Sequence, residues 1–334
     1  MSSNPSELNF AAKYRPKTFS EVVGCDNAKA VLTRIALNPS VARSIFLKGS
    51  WGSSKTTQSR IFGKAVNCSE FPKTHEVCGK CPGCLEAMAP NSQTYQEFDA
   101  TRVGNVDAIR ELQNSLTILP PKNYTRVVVC DEIHAASNAA LNALLKMVED
   151  GIPRTIFVFA STEDILPTLK SRSIVIEINP LPYNLISDHV IKIASKEGID
   201  ISKEIADTIA VKSQGHMRDA LSLLQLYSLS GEESLRTSYK SVQKLIINLF
   251  KKTNTFDEDL KEVLNYPLVD ISTSVSRFII DIYQAEPGSS MSKLSKLGPI
   301  LFSFFYTPVA QQAIKSEYGI ILLFNQLRSK VSSH

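Results

Sequence analysis

Between residues 20 and 180, short apolar runs alternate with stretches whose apolar positions recur every three to four residues. The runs 44–48, 95–98, 127–130, 155–160 and 174–178 have the length and flanking turn residues of strands, and predict five buried strands. The periodic stretches near 26–37, 55–67, 104–117 and 137–149 predict the helices between them. Strands separated by helices imply a mostly parallel sheet covered on both faces, a doubly wound α/β domain. Pro180, Leu181 and Pro182 punctuate the end of the last strand, and no strand pattern follows. Residues 183–230 read as three helices with a break at Gly215. From about 238 the pattern is helical again, with Leu245, Ile246, Leu249 and Phe250 on one face and an apolar final helix around 320–327. The expected division is an α/β domain over 1–180, a helical module over 181–235 and a second helical domain over 236–334.

Composition narrows the class without naming a partner. Of 334 residues, 43% are apolar and 21% charged, which excludes a disordered or collagen-like chain. The balance of 37 basic against 33 acidic side chains gives +4, too small to decide for or against nucleic acid. Apolar stretches such as 320–324 fall far short of the ~18 residues a spanning helix needs, so no membrane span is expected. Residues 1–16 lack the apolar core of a secretory signal, and the expected compartment is the cytoplasm. Six cysteines in that setting read as metal ligands or plain thiols.

After the first strand comes Gly49-Ser50-Trp51-Gly52-Ser53-Ser54-Lys55-Thr56, then Thr57 and a helix. In a phosphate-binding loop, glycines let backbone N–H groups wrap the phosphates, lysine reaches the outer phosphates and Ser or Thr binds Mg²⁺. The pattern is G-x4-G-K-[ST], and Ser54 stands where its second glycine belongs. That serine adds a Cβ where the backbone approaches a ligand or takes a positive φ. An ordinary strand-to-helix turn with a chance Lys-Thr is the plain alternative. The run 127–130, followed by Asp131 and Glu132, supplies the other half of a nucleotide site: one acid to hold Mg²⁺, the next to polarise an attacking water.

Cys68, Cys78, Cys81 and Cys84 follow the spacing C-x9-C-x2-C-x2-C. Four thiolates suit a closed, structural Zn²⁺ site. An iron–sulfur cluster competes, although the run lacks the x3-C-P that follows C-x2-C-x2-C in bacterial ferredoxins. His75 as a substitute ligand, or two disulfides under oxidation, stay open. Cys25 and Cys130 read as small buried residues. Arg172, between Ser171 and Ser173, falls in the loop before the fifth strand, where a guanidinium projects from the surface.

Together these residues resemble the AAA+ clamp-loader ATPases of DNA replication, and most closely the bacterial gamma/tau type. The resemblance rests on Lys13-Tyr14-Arg15-Pro16, Phe19-x-x-Val22-Val23-Gly24, the phosphate loop, the four-cysteine module and Asp131-Glu132-Ile133-His134. It continues through Asn142-Ala-Leu-Leu-Lys146-x-x-Glu149, Ala160-Ser-Thr162, Ser171-Arg172-Ser173 and Gly215-His-Met-Arg218-Asp-Ala-Leu-Ser222. It covers about residues 8–230, and the zinc module is its most specific element.

The resemblance implies an AAA+ P-loop fold with a zinc-module insertion over 68–84, a helical lid and a helical collar. It implies ATP, Mg²⁺ and Zn²⁺ as ligands. Lys55 and Thr56 would grip phosphates and metal, with Gly49, Gly52, Ser53, Ser54 and Thr57 completing the loop. Asp131 would support Mg²⁺, and Glu132 would be the base. Thr162 would sense the γ-phosphate, Arg218 would be a second sensor, and Arg172 would reach a neighbour's ATP. Tyr14, Arg15, Pro16, Val22 and Val23 would cradle the base. The implied partners are other loader subunits in a ring of five, a sliding clamp and primer-template DNA. Thr101, Arg102, Asn105 and Arg110 are the candidate phosphate contacts to DNA. Departures at Ser54, at Ser173 in place of a cysteine, and in a loop two residues short between Thr162 and Ser171 bear on turnover. Two other expectations follow: a subunit that binds nucleotide without hydrolysing it, or a hexameric AAA+ helicase or remodeller.

Overall fold

A computed structural model describes residues 9–103, 106–231, 239–252, 254–266, 268–284, 297–305, 307 and 316–332. The chain divides into two compact units, Met1–Ser234 and Leu235–His334. The first opens with α1 (Phe10–Lys13), α2 (Asp26–Leu37) and β1 (Ser44–Gly49), followed by α3 (Lys55–Ala65). Two short helices, α4 (Phe71–Thr74) and α5 (Pro82–Ala87), occupy the cysteine loop ahead of β2 (Tyr95–Asp99). Then come α6 (Ala100–Val103), α7 (Val106–Leu116), β3 (Arg126–Asp131), α8 (Asn138–Asp150), β4 (Thr155–Ser161), α9 (Pro167–Lys170) and β5 (Ile174–Ile178). α7 matches the helix expected over 104–117, and α6 is a short addition ahead of it; Gly104 and Asn105 lie outside the described residues.

All strand pairs are parallel, in the order β2-β3-β4-β1-β5. Alternation along the central strands splits the core into two layers. Ile45, Leu47, Val127, Val129, Ile156 and Val158 pack with Leu32, Ile35, Ile61 and Phe62 from α2 and α3. Phe46, Val128, Cys130, Phe157 and Phe159 pack with Ile109, Leu141, Leu144 and Met147 from α7 and α8. Not all five strands are buried, as the apolar runs suggested. β2 and β5 are margins with one neighbour each, so β2 is half-exposed and Ile174 and Val175 of β5 face solvent.

Three helices follow in the same unit: α10 (Tyr183–Glu197), α11 (Lys203–Lys212) and α12 (Met217–Ser230). Gly215 ties them back to the end of β5. Its φ is +88°, a Cβ there would stand 2.5 Å from Pro180 Cβ, and its carbonyl accepts from Leu181 N at 2.9 Å. Any side chain at 215 would push α12 away from the sheet.

The second unit contains α13 (Tyr239–Phe250), α14 (Phe256–Leu264), α15 (Leu268–Gln284), α16 (Leu297–Phe305) and α17 (Glu317–Ser332). The stripe of Leu245, Ile246 and Leu249 meets Phe278, Ile279, Phe305 and Phe324 in its core. Among the described residues, no helix is long and apolar enough to cross a membrane.

A buried cation that the apolar pattern does not announce holds the start of β3. Arg126 is 1% exposed, and its guanidinium donates to the carbonyls of Gln93 at 2.8 Å, Leu116 at 3.4 Å and Ile118. It therefore joins the approach to β2, the end of α7 and the start of β3. Arg126→Met would leave the buried Leu116 carbonyl and the part-buried Gln93 and Ile118 carbonyls short of a donor, at about 1–3 kcal/mol for each group that water cannot reach. The expected loss is roughly 3 kcal/mol or more in urea denaturation; a loss under about 1 kcal/mol, the scale of a surface change, would refute this account.

Candidate nucleotide site

The C-terminal ends of β1 and β3 open into a cavity of about 430 Å³. β1 ends at Gly49, where a Cβ would stand 2.6 Å from the Ile178 carbonyl of β5, so only glycine fits there. The chain then turns through Trp51, Gly52, Ser53 and Ser54, all lining the cavity, into α3, whose first residues Lys55, Thr56 and Thr57 line it too. From β3 come Asp131 and, one residue on, Glu132. Thr56 Oγ1 donates to Asp131 Oδ2 at 2.7 Å, which closes the two halves on each other.

The Lys55 ammonium is 4% exposed and donates to the carbonyls of Gly49 at 2.9 Å and Ser50 at 3.0 Å. Burial holds it below the usual lysine range, against the pull of Glu132 and Asp131. Ser53 Oγ is buried without a hydrogen-bond partner among the described residues, an unspent donor on the loop. Ser54 sits at φ +73°, in the left-handed region the glycine pattern anticipates. For a residue with a Cβ that conformation costs roughly 1–2 kcal/mol. A positive loop, an unspent hydroxyl donor and a Thr–Asp oxygen pair fit a phosphate chain and a hard divalent cation. Thr56 and Asp131 are the residues that would hold Mg²⁺.

The other walls come from farther along the chain. Tyr14, Arg15, Pro16, Val22, Val23 and Arg218 all line the cavity. The Tyr14 hydroxyl donates to Glu197 of α10, and burial followed by that carboxylate pushes its pKa up to about 12. Arg15 is held below its usual range by burial and then by the charges of Arg60 and Arg218. Arg15, Arg60 and Arg218 thus place positive charge on this wall, which suits the anionic part of a ligand, while Asp131 and Glu132 line the cavity on the side of β3. Gly49 and Thr162 do not line the cavity. Thr162 lies one residue past β4, next to Ser161, whose hydroxyl contacts His134 Nδ1 at 3.1 Å.

The four cysteines form a second centre. Their Sγ atoms all lie within 4.8 Å of one another, with Cys68–Cys78 at 3.7 Å and Cys78–Cys84 at 4.0 Å. Tetrahedral ligation at about 2.3 Å from one ion sets sulfurs roughly 3.8 Å apart, so the donor set fits zinc. A cluster of several irons and sulfides would hold its cysteines farther apart, and disulfides would bring them far closer; all six cysteines are free. Backbone N–H groups of Cys78 and Cys81 donate to sulfur at 3.5 and 3.4 Å. Burial opposes a thiolate at Cys81, but hydrogen bonds from Cys84 and Ser69 outweigh it and bring its pKa down to about 6. His75 is not part of the cluster.

The family described as DNA polymerase III, delta subunit, matches residues 24–182. DNA polymerase III subunit gamma/tau of Mycobacterium tuberculosis is 34% identical over 232 residues, 68% of this chain and 40% of its own length. DNA polymerase III subunit gamma of Buchnera aphidicola is 28% identical over 284 residues, covering 82% of this chain and 76% of its own. The chain therefore spans less than half of the mycobacterial relative. Among solved structures, the RuvB Holliday junction branch migration motor of Thermotoga maritima superimposes with a TM-score of 0.50 at 22% identity, over 85% of each chain, and supports the fold. The chain belongs to the clamp-loader-like AAA+ proteins.

The remaining candidate residues of this clamp-loader-like chain spread from the cavity to the surface. Thr101 lines the cavity, with its N–H and hydroxyl on Asp99 Oδ1 at 3.0 and 2.6 Å. Arg110 is exposed and pairs with Asp107 at 3.0 Å on its own helix; the Arg102 side chain and all of Asn105 lie outside the described residues. Arg172 is exposed, donates to the Thr168 carbonyl at 2.9 Å and pairs with Glu149 at 2.6 Å. Missed by the sequence reading is a buttress in which Arg60 grips Glu97 through two bonds of 2.8 and 2.7 Å, with Tyr95 donating to the same carboxylate.

The loop tip also reaches α12 of the clamp-loader-like fold. Ser50 Oγ meets His216 Nε2 at 2.8 Å, and the Arg218 guanidinium stands 6.0 Å from the Trp51 ring centre. Trp51 is the chain's one tryptophan and is 58% exposed. Nucleotide entering this cavity is expected to shift tryptophan emission, a signal that Trp51→Phe removes. Saturation by ATP, measured by equilibrium dialysis, with unchanged emission would place the nucleotide elsewhere.

Proposed function

We propose that this chain is an ATP-dependent subunit of a sliding-clamp loader. The observation that carries the reading is the convergence of Lys55, Thr56, Asp131 and Glu132 on one cavity, closed by the 2.7 Å Thr56–Asp131 bond. ATP is the substrate. Lys55 and the loop N–H groups neutralise its phosphates; Thr56 and Asp131 would hold Mg²⁺, which when bound would supply charge neutralisation at the phosphates. The oxygen of a water attacks the γ-phosphorus, the bond to the bridging oxygen breaks, ADP leaves, and the water proton passes to the Glu132 carboxylate. Arg172 acts on the ATP of a neighbouring subunit; it is exposed, and its contacts to Glu149, the Thr168 carbonyl and the Ser171 hydroxyl keep the guanidinium near the surface. Tyr14, Arg15, Pro16, Val22 and Val23 enclose the base, while Thr162 and Arg218 respond to the outer phosphate. The four thiols hold structural zinc. Other loader subunits, a sliding clamp and primer-template DNA are the partners, and five subunits complete the ring.

The test is ATP turnover in the reconstituted complex, with and without clamp and primed DNA. Turnover that rises only when both are present supports the reading; turnover indifferent to them overturns it. A hexamer rather than a pentamer in native mass spectrometry would favour a helicase or remodeller. The φ of +73° at Ser54 favours one second reading, a subunit that binds ATP without hydrolysing it. A parent whose turnover equals that of Glu132→Gln is that subunit.

A further inference from the structure

Gln58 lies one turn into α3 and is completely buried, an unusual place for an amide on a helix whose next layer is apolar. Its Nε2 donates to Ser54 Oγ at 2.9 Å, and its Oε1 has no hydrogen-bond partner among the described residues. Ser54 is the residue that departs from the glycine of the phosphate loop and that holds φ at +73°. Gln58 does not line the cavity, whereas Ser54 does. The bond therefore draws the Ser54 hydroxyl toward the buried side of the loop. Cys25, also at positive φ and directly before α2, places its thiol within hydrogen-bonding reach of both side chains. A serine in the left-handed region is thus bound to a completely buried amide, with the Cys25 thiol beside both.

We infer that Gln58 is a positioning residue for phosphate binding, forming with Ser54 a two-residue unit that takes the place of the usual loop glycine. The proposal rests on the nucleotide-site reading given above and deepens it. Without the amide, the Ser54 hydroxyl is free to rotate toward the phosphates and the left-handed turn loses its tether, so the N–H groups that follow no longer converge. With glycine at 54 there is neither a hydroxyl to restrain nor a strained turn, and the amide has nothing to position. One consequence concerns the obvious reversion: Ser54→Gly alone removes the bond from the Gln58 amide to Ser54 Oγ while its Oε1 is already without a partner among the described residues, so it does not simply improve the loop.

The experiment is a double-mutant cycle on the full chain, reading the dissociation constants of ATP-Mg²⁺ and of adenosine by calorimetry, with thermal melting alongside. Gln58→Leu in the parent is expected to weaken ATP by roughly three- to tenfold, the scale of one hydrogen bond. Adenosine binding should stay put, because it never touches the phosphate loop. In the Ser54→Gly background the same Gln58→Leu change should alter ATP affinity less than about twofold. Equal weakening in both backgrounds, or equal weakening of ATP and adenosine, overturns the pairing and leaves Gln58 a packing residue. If Gln58→Leu lowers the melting temperature too far to measure binding, Gln58→Met takes its place under the same criteria. A parent that binds no ATP overturns the nucleotide-site reading itself, a result distinct from failure of the coupling.

Discussion

Replacing Glu132 with glutamine is expected to lower ATP turnover by about 10²–10⁴-fold, the usual range for loss of a positioned general base, while ATP affinity stays unchanged. The split follows from geometry. On the proposed reading Lys55, Thr56 and Asp131 meet phosphates and metal, and Thr56 and Asp131 already touch. Glu132 lies one residue beyond β3 at φ +48°, with its own N–H on Asp131 Oδ1 at 3.1 Å and its carboxylate 3.5 Å from His134. Glutamine keeps the shape and removes only the capacity to take a proton. Single-turnover chemistry and equilibrium binding on the same preparation separate the two effects. Loss of affinity matching the loss of rate would mean that Glu132 binds rather than activates.

Zinc removal is the second large effect. The intact chain is expected to carry one zinc, and Cys84→Ser is expected to lose it together with on the order of 5 kcal/mol of stability in the first unit. Structural zinc binds folded small domains with about 10–16 kcal/mol. Here much of the surrounding core persists without it, so only part of that energy appears as lost stability. Cys68 and Cys84, at 4% and 0% exposed, belong to the same apolar layer as Phe62 and Phe71. Their loop therefore does not loosen in isolation. Metal analysis and thermal melting before and after chelation check this; Cys84→Ser with full zinc content and an unchanged melting curve would refute it.

The central strands were readable because Val, Ile and Phe run unbroken through β3 and β4, and the phosphate loop because its glycines and Lys55-Thr56 sit between a strand and a helix. Positive φ at Ser54 was legible from the glycine it replaces. Strand order was not, since nothing local distinguishes a margin from the middle, and so the exposure of β2 and β5 came as a correction. The burial of Arg126 and Gln58 was not legible, because their partners are backbone carbonyls and a serine hydroxyl, neither of which leaves an apolar signature. The contacts from the loop tip to His216 and Arg218 span more than 160 positions and have no periodic trace. That Thr101 lines the cavity was not legible either, because a short polar stretch ahead of a helix looks the same whether it faces a cavity or solvent.

The strand order has one more implication. The lysine, the threonine and the paired acids all follow inner strands β1 and β3, while the thiol-bearing excursion is spliced in just ahead of marginal β2. Chain can be added or trimmed at that rim without shifting the spacing between the two inner strands. An excursion at that rim can thus be carried, tied to the core here through Cys68 and Cys84, while the inner strands keep the spacing of the site.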